Sequence, residues 1–427
     1  MKQSKTAPCL FYGNIIEGEP PIYLGLYVDD FIYFSESDKV ENHFETEFQK
    51  HVPVTFDKEV DYFLGIKFQN EKKSNGHVSI KMSQAAYVDE ICKQTKLDSE
   101  AINTPKSPYR SGLPVDSIPE IDYNEIEQKR YTLQMQTIIG SLNWLSVSTR
   151  PDITTITAML AKYTKNPSKG HIDAALRVIK YLKGTKNMGI EFSSERNNYL
   201  QSFLQFPLPE HQLTGICDAN WGPQDQSKPP TKSPPPKLTL FKTRSMSGYM
   251  TWCHGPLMWT SKRQTYTARS SAEAEIYATD ECTKNILHLL HIIDEMELTN
   301  EYISGPVHIW NDNHACICWT KNTTTKGLRH VQICENAVRE SIANGLIKVQ
   351  HIEGKRNPSD IFTKEDKDTE HYIDARNSVM FGHEDQSING NLEQTEKKNE
   401  DTAVTNENAR QITQETGGCQ VGSSPPS

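Results

Sequence analysis

Between residues 212 and 362 the apolar spacing switches repeatedly between the two-residue period of a strand and the three-to-four-residue period of a helix. No other feature of the chain limits its fold as much. Residues 212–217, 246–254 and 256–261 read as three strands, 271–295 as one long helix, and 307–310 as a strand leading into a short helix. Residues 330–344 then read as a helix and 346–352 as a strand, and a last short helix opens at Pro358. That order predicts an α/β unit. After the first strand comes Lys228-Pro229-Pro230-Thr231-Lys232-Ser233-Pro234-Pro235-Pro236-Lys237, too rich in proline for a helix or an inner strand. It predicts an extended insertion over residues 224–243, with Lys228, Lys232 and Lys237 open to solvent or phosphate.

Upstream, residues 21–34 hold two strand-like runs broken by Asp29-Asp30, the pattern of a tight β-hairpin with acids at its tip. Val40, Phe44 and Phe48 recur at helical spacing, and residues 61–68 and 77–80 read as another strand pair, so a first domain is expected over 1–82. Residues 83–190 change character. Helical runs at 84–93, 131–148, 153–163 and 171–182 are parted by Pro105, Pro114, Pro151 and Pro167, which predicts a helical domain of about a hundred residues. A polar and aromatic linker over 191–211, marked by Pro207 and Pro209, should separate it from the α/β domain at 212–370. Residues 371–427 are expected to form a mostly disordered tail, because the segment is polar and has no aromatic residue after Phe381. The fold class expected is therefore multidomain, with α/β and α+β parts.

With 427 residues, 36% apolar and 24% charged, the chain has the make-up of intracellular globular material sufficient for two or three domains. The first twenty residues contain no apolar signal core, and the apolar run 286–296 is interrupted by His288, His291, Asp294 and Glu295. Neither a secretory signal nor a membrane span is expected, which points to cytoplasm or nucleus and away from membrane partners. Nine cysteines without a C-x-x-C pair read as reduced packing or surface thiols rather than a disulfide frame or zinc site. The formal charge of −9 is unevenly spread: residues 384–427 carry −5 and the rest −4, which leaves room for local phosphate-binding patches.

Four acids sit at element ends of the third block. Asp218 ends its first strand, Glu275 lies in the opening turns of the long helix, Asp312 follows the next strand, and Asp360 begins the last helix. A single such acid is more often a cap or turn residue than a ligand. Four converging on one sheet edge would repel one another unless divalent cations neutralised them, which is the chemistry of a two-metal phosphodiesterase. His330, preceded by Arg329, is of the residue type that relays protons near neutral pH.

Ordered motifs extend this reading. Tyr27-Val28-Asp29-Asp30, Tyr62-Phe63-Leu64-Gly65-Ile66, Gly140-Ser141-Leu142, Thr149-Arg150-Pro151-Asp152-Ile153 and Tyr181-Leu182-Lys183-Gly184-Thr185 come first. Trp259-Thr260-Ser261-Lys262-Arg263-Gln264, Ala274-Glu275-Ile276-Tyr277-Ala278, Asp312-Asn313, Arg329-His330-Val331 and Asp360-Ile361-Phe362-Thr363-Lys364 follow. Over roughly residues 8 to 366 this series resembles the Pol polyproteins of copia-type retrotransposons. The resemblance implies the palm end of a reverse transcriptase, a helical thumb or connection domain, and a ribonuclease H-like α/β domain with a mixed sheet. By position, Asp218, Glu275, Asp312 and Asp360 are similar to the family's first to fourth metal ligands, and His330 to its histidine after the third acid. Asn220 stands where an acid is more usual, Glu365 follows Lys364 where Pro-Leu is common, and the proline insertion is unusual; none of these removes a ligand. The resemblance implies two Mg²⁺ ions, with Mn²⁺ as a substitute, and an RNA/DNA hybrid as substrate. Lys262, Arg263, Arg269 and Arg329 would contact phosphate, while groove shape and 2′-hydroxyls would identify the hybrid.

Asp29 and Asp30 resemble the paired palm acids that hold magnesium during nucleotide addition. The family's palm takes a third Asp from an earlier strand, and 28 residues precede Asp29, so a truncated palm is expected and no RNA-directed DNA polymerase activity from this chain alone. Its protein partners would then be the missing polymerase portion or other retroelement proteins. Two functional readings follow: cleavage of the RNA strand of hybrids by an intact ribonuclease H domain, or a non-catalytic retroelement relic or host-adopted nucleic-acid-binding module. Whether the four acids meet separates the two.

Overall fold

Two short strands, β1 (Lys2–Gln3) and β2 (Leu10–Gly13), precede the expected hairpin of β3 (Ile22–Tyr27) and β4 (Asp30–Ser35), and the four pair antiparallel in that order. Tyr27 faces Asp30 across the Val28-Asp29 turn, where Val28 takes the left-handed φ of 53°. Helix α1 (Asp38–Gln49) then lays Val40 and Phe44 against Ile22 and Leu24, with Phe31, Tyr33, Phe48 and Phe56 packed around them. This is the face that the spacing of Val40, Phe44 and Phe48 predicts. The computed structural model describes residues 1–110, 114–119, 123–195, 198–209, 212–222, 244–321, 329–365 and 368–383, with residues 198 and 329–335 described for their backbone alone. The expected insertion at 224–243, with Lys228, Lys232 and Lys237, lies outside them.

Strands β5 (Tyr62–Phe63), β6 (Ile66–Lys72) and β7 (Val78–Ser83) open a second antiparallel sheet that runs into α2 (Ala85–Gln94). Helices α3 (Glu125–Ser148), α4 (Thr154–Ala161) and α5 (Lys169–Gly184) follow, with Pro151 and Pro167 outside the α-helices, where a missing N–H costs no helical bond. Asn124 caps α3 by accepting from the Glu127 N–H, and Ser168 with His171 forms a capping box on α5. The linker expected over 191–211 is corrected here. Strand β8 (Gly189–Ser193) returns to pair with β7, and α6 (Asn198–Leu204) buries Leu200 and Leu204 in the helical core. Elements of this length carry too few residues for a period to show.

The third sheet is built from β9 (Thr214–Asn220), β10 (Met246–Trp252), β11 (Pro256–Arg263), β12 (Val307–Asn311) and β13 (Ile347–His351), in the order β11-β10-β9-β12-β13. The first three are antiparallel, while β9, β12 and β13 run parallel, giving the mixed sheet expected. Helix α7 (Ser271–Glu295) crosses one face with Ala274, Ala278, Cys282 and Ile286 buried, accompanied by α8 (Thr299–Tyr302), α9 (His314–Lys321) and α10 (Arg329–Ala343). A Cβ at Gly215 would come within 2.7 Å of Cys282 Sγ, so this glycine lets α7 approach β9. Along β9 the side chains alternate: Cys217 joins the α7 cluster, whereas Ile216 joins the core shared with α2 to α5. The helical block therefore covers the opposite face of the sheet.

A 3-10 turn, Pro358–Phe362, and helix α11 (Thr369–Val379) close the fold. Helix α11 buries Tyr372, Ala375 and Val379 in the helical core, so the disordered tail expected from residue 371 is corrected as far as residue 383. Three apolar contacts on an otherwise polar helix give no sequence signal until the partner face is known. Residues 384–427 lie outside the described residues. Below α11, Arg150 forms a fully buried fork with Asp152 at 2.9 and 2.7 Å, Tyr181 donates to Asp152 at 2.5 Å, and Arg376 donates to Tyr181 at 3.2 Å. The seven described cysteines are free thiols, and among the described residues no helix is long and apolar enough to cross a membrane.

Candidate metal centre

Asp218 lies near the end of β9, directly opposite Gly248 of β10, and is 1% exposed. Glu275 occupies the second turn of α7, whose start is fixed by Ser270 accepting from the Glu273 N–H. Asp312 follows the last residue of β12. One carboxylate oxygen from each of the three lies within 4.8 Å of the others. The turn bearing Asp360 is sewn to the same strand: Asn357 Nδ2 donates to the Cys217 carbonyl at 2.9 Å and Ser359 Oγ to the Ile216 carbonyl at 2.8 Å. Gly248 makes this possible, since a Cβ there would stand 2.5 Å from Phe362 Cβ and 2.7 Å from Thr363 Cγ2.

Among the described residues few donors serve these acids. Asn311 Nδ2 donates to Glu275 Oε2 at 2.9 Å, and the Thr363 hydroxyl donates to Asp218 Oδ2. Lys364 Nζ stands 3.5 Å from Asp218 Oδ1 and 2.5 Å from Asp360 Oδ1, while His371 Nε2 of α11 lies 3.1 Å from Asp360 Oδ2. Asp360 thus neighbours the trio with both oxygens engaged. Burial, then repulsion from Asp360 and Asp312, pushes Asp218 up to about 7 against the pull of Lys364. Glu275 is raised well above the ordinary carboxylate value by burial and by Asp218 and Asp312, and Asp312 is raised mainly by its burial. A compact set of hard oxygen donors that resists ionisation by itself has the chemistry of a divalent-cation site.

No protein-family model matches this chain. It is 24% identical over 363 residues to the Retrovirus-related Pol polyprotein from transposon TNT 1-94 of Nicotiana tabacum, covering 84% of this chain and 24% of that protein. The corresponding protein from transposon RE1 of Arabidopsis thaliana is 23% identical over 81% of this chain, and the Ty1-NL2 Gag-Pol polyprotein of Saccharomyces cerevisiae 22% over 79%. Its homologues are Pol polyproteins of copia-type retrotransposons. The chain spans about a quarter of the length of the first of these Pol relatives and about a fifth of the others. A solved foamy viral protease-reverse transcriptase in complex with dsDNA shares 12% identity over 78% of this chain and 55% of that one, at a TM-score of 0.32, a likeness too weak to rest a fold on.

The remaining residues expected from the Pol resemblance are scattered. Arg329 and His330 open α10, and their side chains lie outside the described residues. Lys262 and Arg269 are exposed, whereas Arg263 is partly buried with Nη2 3.6 Å from Asp116 Oδ2. Trp221 sits at the rim and donates to the Ala268 carbonyl at 3.0 Å, and Trp259 donates to Ser146 O at 2.6 Å, tying β11 to α3. Asp29 and Asp30 are exposed at the hairpin and belong to no three-ligand group among the described residues. Sequence reasoning missed Asn311, Thr363, Lys364 and His371 as partners of the acids. Lys364 was discoverable from its four-residue spacing to Asp360, but His371 carries no signal before α11 is placed.

Proposed function

We propose that the mixed-sheet block is a ribonuclease H-type domain of a Pol fragment, cleaving the RNA strand of RNA/DNA hybrids. The observation that carries this reading is the meeting of Asp218, Glu275 and Asp312 within 4.8 Å, from three elements far apart in sequence. Relatedness to Pol polyproteins supports it. The proposed division is a palm segment over 1–82, a thumb or connection over 83–190 and the nuclease over 212–370. Asp218, Glu275 and Asp312 would hold divalent cations, Mg²⁺ or Mn²⁺, with Asp360 beside them. When bound, such ions supply activation of water and stabilisation of charge on the leaving 3′-oxygen. The protein's own share is to gather the carboxylates, exclude bulk water by burial and hold Asp360 through Lys364 and His371. His330 is proposed to relay a proton, and Lys262, Arg263, Arg269 and Arg329 to contact phosphates.

Purified protein with Mg²⁺ should cut the RNA strand of a labelled hybrid and leave duplex DNA and single-stranded RNA intact. Asp312→Asn should lower that rate on the order of 10²–10³-fold, the usual scale for losing one electrostatic group of an active site. Full activity in this variant would exclude the site. A second reading, a retroelement-derived nucleic-acid-binding module without catalysis, is favoured by one feature: Lys364 already leans on Asp218 and partly neutralises the acids. Salt-sensitive hybrid binding without any cleavage would select it.

A further inference from the structure

Lys364 is the only described cation within 4.0 Å of both Asp218 and Asp360. It reaches them from the turn after Phe362, and that turn is fixed in place by bonds independent of the lysine. Thr155 Oγ1 of α4 donates to the Ile361 carbonyl at 2.7 Å, Asn357 and Ser359 bond to β9, and Gly248 leaves room for Phe362 and Thr363. The turn that carries Lys364 is therefore fixed without it, while the lysine side chain keeps 42% exposure and a path to solvent.

We propose that Lys364 is a built-in counter-cation of the carboxylate set, competing with the divalent ion for Asp218 while it stays paired with Asp360. The inference rests on the metal-site reading above. Its physical basis is that an ammonium 3.5 Å from Asp218 and a divalent cation on the same carboxylate repel each other at close range and low dielectric. Asp360, held on its other oxygen by His371, already holds the ammonium at 2.5 Å, so the longer contact to Asp218 can be given up without leaving the lysine unpaired. Lys364 is thus a positioning residue. It keeps the acids together before the ion arrives and weakens the ion's affinity as a consequence.

The test uses the full chain without nucleic acid, stripped with chelator and titrated with Mg²⁺ by calorimetry, with melting curves taken in parallel. Lys364→Met, which keeps the stem and removes the charge, should bind Mg²⁺ on the order of tenfold more tightly and melt at a lower temperature when stripped. Its gain in melting temperature on adding Mg²⁺ should exceed that of the wild type. Lys364→Arg, which keeps the charge, should return both properties toward the wild type. Unchanged or weaker Mg²⁺ binding by Lys364→Met, with the wild type binding normally, would overturn the counter-cation role. Absence of Mg²⁺ uptake by the wild type would overturn the metal-site reading itself and this inference with it. Should Lys364→Met fail to fold, Lys364→Gln with Lys364→Arg supplies the same comparison.

Discussion

Asp152 and Asp218 are both almost completely buried, yet their acidities are pushed in opposite directions. At Asp152, burial alone would raise the carboxyl, but the charge and two hydrogen bonds of Arg150, joined by Tyr181, overturn that and hold it below the ordinary value. At Asp218 burial is joined by neighbouring acids, and one partly exposed lysine does not balance them. The first cluster carries its own counter-charge and ties α5 and α11 together. Among the described residues the second is short of positive charge, as the proposed divalent-cation site would be before its ion binds.

The comparison can be broken at either end. Arg150→Met should destabilise the fold by about 3–5 kcal/mol, because it strands a buried carboxylate, and chemical denaturation would measure the loss. A loss well under that range would mean that Arg150 and Asp152 do not form the balanced pair described. Next in size is a pH effect of opposite sign in the two clusters. Asp218 keeps its proton in the folded protein up to about 7, whereas the unfolded chain releases it near the ordinary value, so folding takes up a proton in between. The cluster's contribution to stability therefore falls as pH rises from about 4 to about 7. For Asp152, depressed in the fold, the contribution is present above its ordinary value and lost as pH falls through the folded one. Melting curves of chelated protein should accordingly decline toward neutral pH, with Asp218→Asn flattening the decline; an equal slope in that variant would remove Asp218 as its source.

Two smaller effects sharpen the picture. Thr155→Val deletes the bond from α4 to the Ile361 carbonyl and should cost about 1 kcal/mol. It should reduce the proposed hybrid cleavage severalfold by loosening the Asp360 turn, with the Mg²⁺ uptake proposed for the other three acids unchanged in calorimetry. Reduced Mg²⁺ uptake would show instead that the whole edge depends on α4. Asp312→Asn in chelated protein should leave stability unchanged or raise it by up to about 1 kcal/mol, since it relieves the repulsion that Asp312 exerts on Asp218 and Glu275. A drop in melting temperature would contradict the charge shortage inferred for this edge.

Much of the third block was legible because its elements are long and periodic. The helix expected at 271–295 is observed as Ser271–Glu295, and the acids at element ends could be named one by one. Legibility failed where elements were short or stabilised from elsewhere. Strand β8 borrows its place from β7, and α11 is ordered by Tyr372, Ala375 and Val379 meeting a core assembled from residues far upstream. The same limit hid His371, whose link to Asp360 exists only because α11 folds back. Gly248 was equally silent, as a glycine in a strand reveals nothing until a second backbone passes over it.

What the sequence determined by itself was local: which residues alternate, which recur at helical spacing, which ends of elements carry a carboxylate. Tertiary structure decided which of those carboxylates meet. Asp218, Glu275 and Asp312 converge because β9, α7 and β12 pack side by side, whereas Asp29 and Asp30 stay at an exposed turn with no third ligand among the described residues. Spacing along the chain is a one-dimensional record, and the energy of a buried charge depends on every group within a few ångströms in three dimensions.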